Sequence, residues 1–81
     1  MKVDVHGLLV REVVPVILTY IDLCVSRKER SLEVTHGFNK GHAIQRKVLS
    51  LTQADHPCIL RVRSHLLNPG ISIIDIKVNF D

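Results

Sequence analysis

The sequence predicts an α/β domain of the α+β two-layer sandwich type, in the order β-α-β-α-β-β. Three observations carry this. At 81 residues the chain has room for a single core. A composition 46% hydrophobic and 23% charged marks a globular chain. Apolar spacing switches between strand-like and helix-like periods along the chain. With only Tyr20, Phe38 and Phe80 as aromatics, the core must be built from Val, Ile and Leu. Such β-branched residues favour sheet.

Lys2 to His6 alternates, with Val3 and Val5 on one face, and Gly7 ends the run. Leu8 to Arg27 follows a helical stripe through Val10, Val13, Val14, Ile17, Leu18, Ile21, Cys24 and Val25. Pro15 puts the start of this helix near Leu9 to Arg11. No Ser, Thr, Asp or Asn stands at the expected N-cap, so a poorly capped start is expected. Val16, Tyr20 and Leu23 make the opposite face unusually apolar, which suits either a partner surface or deeper burial. Arg27-Lys28-Glu29-Arg30-Ser31 is a charged connection.

Leu32 to Thr35 is the second strand, ending in His36-Gly37. Phe38 to Gly41 is a loop, and a helix runs from Gly41 or His42 to Leu51, with Ile44, Val48 and Leu51 inward and Arg46 and Lys47 outward. Pro57 closes a turn region. Cys58 to Ser64 is the third strand, with Arg61 and Arg63 alternating against Ile59, Leu60 and Val62. Leu67-Asn68-Pro69-Gly70 is a turn, and the nearly continuous apolar run from Ile71 to Val78 predicts a central fourth strand.

A strand–helix–strand unit crosses over right-handed and pairs its strands in parallel. Strands one and two are therefore expected side by side, with His6-Gly7 and His36-Gly37 both at their carboxyl ends. Open α/β sheets bind ligands outside those ends. Strands three and four, joined by a short turn, are expected to be antiparallel. One sheet face is left partly open, and Arg61 and Arg63 are expected on it.

Several residue types at this edge suit phosphate chemistry. Asp4 lies two residues before His6, on the same side of a strand, where a carboxylate fixes the tautomer of an imidazole. A histidine so held takes a proton from a ribose 2′-OH or from water. His36 is the candidate partner acid, or a ligand for a phosphate oxygen. Lys40 and the backbone N–H groups of Asn39 to His42 are candidates for stabilising a dianionic transition state. Phe38 is placed to stack on a base. Each feature alone has a bland reading as a surface histidine or an ordinary turn. The pairing of D-x-H-G after one strand with H-G-x-x-x-G after the next is more specific.

The excess of three positive charges and a pI near 9.2 lean toward phosphate backbones. Cys24 and Cys58 form no C-x-x-C and are expected to be buried thiols, in keeping with a reducing cytoplasm. The N-terminus lacks the apolar core of a signal peptide, and no run is long enough to span a membrane. A divalent ion on Asp4, His6, His36 and His42 is conceivable by residue type, but the spacing matches no metal motif and no cofactor is expected.

Taken together, these residues resemble the small MutS-related (Smr) domain family. The resemblance rests on Asp4-Val5-His6-Gly7, the amphipathic helix after it, and His36-Gly37-Phe38-Asn39-Lys40-Gly41 before the next helix. It implies the fold of the C-terminal domain of translation initiation factor 3, a four-stranded mixed sheet with two helices on one face. It also implies nucleic-acid binding, with nicking of DNA or cleavage of RNA in several members, including mRNA on the ribosome. Asp4, His6, Gly7, His36, Gly37 and Gly41 carry over as functional candidates. The chain departs from the common pattern at Asn39, where many members have glycine, and at Leu9, where a threonine often caps the helix. Two other readings fit the same sequence: a nucleic-acid- or ribosome-binding module without turnover, and a protein-interaction domain using Val16, Tyr20 and Leu23.

Overall fold

The computed structural model describes residues 1–37 and 42–79. The elements run β1 (Lys2–Asp4), α1 (Val10–Arg27), β2 (Ser31–Thr35), α2 (Ala43–Leu49), β3 (Ile59–Ser64) and β4 (Ile71–Ile76), the predicted order. The strands form one sheet in the order β1-β2-β4-β3. β1 is parallel to β2, and β4 is antiparallel to both β2 and β3. The apolar run beginning at Ile71 does occupy an inner position, paired on both edges.

Alternation along the strands sorts the side chains into two faces. Val3, Val5, Leu32, Val34, Ile59, Ile74 and Ile76 are buried beneath the helices. α1 meets them with Val13, Ile17, Ile21 and Cys24, and Val48 of α2 and Leu51 close the layer. The opposite face carries Lys2, Asp4, Glu33, Thr35, Arg61, Arg63, Ile73 and Asp75. There Arg61 Nε and Arg63 Nε donate to Asp75 Oδ2 at 2.7 and 3.0 Å. Hydrogen bonding from Arg63, then from Arg61, holds the Asp75 carboxyl below its ordinary value despite some desolvation.

Three local features differ from the sequence reading. The start of α1 is not left bare: the Leu9 N–H donates to Glu12 Oε1 at 2.9 Å, and the Glu12 N–H donates to the Leu9 carbonyl at 2.8 Å. Glu12 thus supplies the glutamate half of a capping box without a polar N-cap. Val16 and Tyr20 are not an outer apolar face but pack half-buried against the core; Leu23 is exposed. Leu60 is 54% exposed. The pairing slips between Ile59, opposite Ile76, and Arg61, opposite Asp75. Leu60 is the extra residue of that bulge and turns outward.

α1 ends at Lys28, whose φ of 57° is left-handed. The Lys28 N–H donates to the Val25 carbonyl at 3.2 Å and the Glu29 N–H to the Cys24 carbonyl at 2.8 Å, closing a Schellman-type end. Cys24 is buried and Cys58 half-buried, both as free thiols, and burial pushes the Cys24 thiol up. Among the described residues, no helix is long and apolar enough to cross a membrane.

Candidate functional site

The parallel pairing brings the ends of β1 and β2 together. The Val5 N–H donates to the Thr35 carbonyl at 2.9 Å, carrying the ladder one residue past β1. Gly7, at φ +85°, then turns the chain, and the Leu8 N–H donates back to the Val5 carbonyl at 3.1 Å. On the neighbouring strand Gly37 adopts φ +79°. Both motif glycines thus occupy backbone conformations that side chains resist. A Cβ added to Gly37 would stand 3.7 Å from the His6 Cβ, so the two motifs are in contact.

At the first motif, Asp4 Oδ1 accepts two hydrogen bonds from His6: from Nδ1–H at 2.6 Å and from the backbone N–H at 3.0 Å. These bonds hold the Asp4 carboxyl below its ordinary value, the side-chain bond most of all. An ionised Asp4 keeps the proton on Nδ1, which leaves the Nε2 lone pair to act as acceptor. The side chains of His6 and Asp4 are 69% and 56% exposed, so this pair faces solvent at the sheet edge.

The second motif is built differently. His36 is only 6% exposed, and both ring nitrogens are engaged. Nδ1–H donates to the Gly37 carbonyl and the Ser72 hydroxyl donates to Nε2, each at 2.8 Å. Ser72 is itself fully buried, so the ring satisfies a hydroxyl that would otherwise be an orphan. The His36 and Gly37 N–H groups both donate to the Gly70 carbonyl, at 2.9 and 3.1 Å. The β3–β4 turn therefore grips the end of β2.

The difference follows from register. Val3 lies opposite Val34 and Asp4 opposite Thr35. Continued, this sets Val5 against His36 and His6 against Gly37. The two His-Gly pairs are offset by one residue, and in a sheet one residue changes the face. His6 shares the open-face parity of Asp4, while His36 shares the helix-face parity of Val5. Adjacent motifs do not bring the two imidazoles to one position.

Of the other predicted site residues, Phe38, Asn39, Lys40 and Gly41 lie outside the described residues. His42 precedes α2, is exposed, and its Nδ1 lies 3.0 Å from Gln45 Oε1. Arg46 and Lys47 are exposed on α2. No cluster of three or more His, Cys, Asp or Glu suited to a metal ion occurs among the described residues.

Sequence reasoning missed Ser72 and Gly70. Ser72 had a signal: it is the one polar residue in the inward phase of Ile71 to Ile76. Gly70 had none, because its role is played by its carbonyl.

A four-stranded mixed sheet under two helices, with an Asp-His pair and a second His-Gly turn at adjoining strand ends, defines an α+β domain built around a paired-motif edge. A family model described as "Smr domain" matches residues 3–71, and the chain belongs to the Smr domain family. The crystal structure of the Smr domain of Thermus thermophilus MutS2 is similar in fold, with a TM-score of 0.83 at 15% identity, over 94% of this chain and 96% of that one. No curated protein matches the chain.

Proposed function

We propose that this Smr domain binds nucleic acid and cleaves phosphodiester bonds, with His6 as general base and Asp4 as its positioning partner. The observation that carries this reading is the Asp4–His6 pair, held at 2.6 Å and exposed beside Gly37. On RNA, Nε2 of His6 takes the proton of a 2′-OH, the oxygen attacks the adjacent phosphorus, and the 5′ oxygen leaves. On DNA the same nitrogen activates water. Lys40 and the loop from Gly37 to His42 meet the phosphate, Phe38 contacts a base, and Arg46 and Lys47 add attraction for the backbone. His36 serves as a positioning residue, since contact with phosphate would require breaking both of its ring hydrogen bonds. In a cell the domain would act in the cytoplasm, with the ribosome as one candidate partner.

A binding module without turnover is the second reading. It is favoured by the engagement of His36, whose buried ring is tied at both nitrogens and does not stand ready to protonate the leaving oxygen. Electrophoretic cleavage of RNA and of nicked or branched DNA, with and without chelator, separates the two. The nuclease reading expects product from the parent and none from His6→Ala. Equal cleavage by both proteins removes His6 from the chemistry, and salt-dependent binding without product favours the second reading.

A further inference from the structure

The β3–β4 hairpin ends in two consecutive leucines that touch almost nothing: Leu66 is 94% exposed and Leu67 90%. The other exposed large apolar residues among those described reach at most 54%. The turn that presents them is well built. His65 Nδ1 accepts the N–H groups of Leu67 and Asn68, both at 3.1 Å. Asn68 Oδ1 accepts the Gly70 N–H at 2.9 Å, and the His65 N–H donates to the Ile71 carbonyl at 3.0 Å. Hydrogen bonding thus fixes a backbone whose side chains have no partner in the fold.

We infer that Leu66 and Leu67 form an apolar wedge that inserts beside unpaired bases of the nucleic acid held at the Asp4–His6 edge. This rests on the nucleic-acid reading above and names the form of polymer it takes. Gly70, whose carbonyl receives the His36 and Gly37 N–H groups, joins the hairpin directly to the candidate site. Leu66 and Leu67 precede that glycine in the same turn, at the same end of the sheet. From Leu66 to Gly70 the tip carries no charged side chain, so it offers a phosphate no cation, and its two leucines match the flat face of a base. Leucine is among the side chains that wedge between base steps. Two side chains also fall far short of the ~800 Å² per partner that a stable protein interface buries. Opening a stack is least costly where a base is already unpaired. The tip therefore favours bulged, branched or single-stranded sites over a continuous duplex.

The test compares the parent with L66S/L67S on two duplexes of equal length, one fully paired and one carrying a bulged fluorescent adenine analogue. The parent is expected to bind the bulged duplex more tightly and to change the analogue's emission. The variant is expected to lose about tenfold on that probe, or about 1.4 kcal/mol, with no emission change and an unaltered melting temperature. Its affinity for the paired duplex should not move. If the variant matches the parent on the bulged probe while R46A/K47A loses both probes, the wedge is overturned and the nucleic-acid reading stands. If the parent binds neither probe at low salt, both fall. Self-association of the parent that disappears in L66S/L67S, with probe binding unchanged, overturns the wedge in favour of a protein contact.

Discussion

Substituting His36 by alanine removes a 6%-exposed ring tied at both nitrogens, to the Gly37 carbonyl and the Ser72 hydroxyl. Two intramolecular hydrogen bonds are lost, each worth about 0.5–1.5 kcal/mol. The Ser72 hydroxyl, fully buried, is left without its acceptor, at a further cost of about 1–3 kcal/mol. The sum is about 2–6 kcal/mol, a large share of the roughly 4–12 kcal/mol available to a chain of this size. Ser72→Ala breaks the same bond from the other side and leaves Nε2 bare, at about 1–2 kcal/mol. Urea unfolding followed by far-ultraviolet circular dichroism measures each loss as a fall in midpoint at constant slope. The double variant H36A/S72A should be less destabilised than the sum of the single ones, because neither orphan then remains. Additive losses would refute the shared bond as the source. Under conditions where H36A is folded, turnover should survive in part. An unchanged midpoint with abolished turnover would show that His36 acts on substrate, against the positioning role.

Three further outcomes follow from the same geometry. Asp4→Asn should lower cleavage by about 10²-fold or more, the scale of general-base contributions, while leaving the melting temperature nearly unchanged because the pair is exposed. Gly37→Ala should cost about 1–2 kcal/mol in urea unfolding, from the left-handed backbone at φ +79°, since among the described residues beyond its chain neighbours the new Cβ meets only the His6 Cβ, at 3.7 Å. Asp75 has its folded value depressed below the ordinary 3.8, so its contribution is present above that value and is lost as pH falls through the folded one. Asp75→Asn should therefore flatten the acid side of the stability–pH curve, by no more than about 1 kcal/mol for a pair this close to solvent.

Much of the fold was legible because period and punctuation agree. The i, i+4 spacing of Val13, Ile17 and Ile21 states the buried face of α1 outright. The nearly continuous apolar character of Ile71 to Ile76 marks an inner strand. The edge site was legible as far as topology reaches: a right-handed crossover forces β1 and β2 parallel and puts both His-Gly pairs at one end. What failed depends on tertiary contact. The half-burial of Val16 and Tyr20 against the core cannot be read from the period of α1 alone. The cap from Glu12 was missed because attention to the N-cap residue overlooks the residue three places on, which reaches back to the backbone. The bulge at Leu60 does leave a local mark, the adjacent apolar pair Ile59-Leu60 that breaks the alternation, but such a pair also fits a strand end buried on both faces.

The register offset also decides how the two motifs divide their work. D-x-H-G and H-G look alike in sequence, and parallel pairing makes them neighbours, so symmetry would suggest two equivalent histidines. Symmetry of that kind requires His6 to sit opposite His36. The observed pairing of Asp4 with Thr35 puts Gly37 there instead. A Cβ at position 37 would stand 3.7 Å from the His6 Cβ, and the positive φ of Gly37 is one that side chains resist. His36, one residue earlier, is turned under the helices, where Ser72 and the Gly37 carbonyl fix its ring and the Gly70 carbonyl fixes its backbone. The bonds that immobilise His36 are thus the ones that set Gly37 beside His6. One motif presents an imidazole to solvent, and the other holds the floor beneath it. Any substitution that shifts β1 by a residue against β2 would exchange those faces, and no single side chain could restore them.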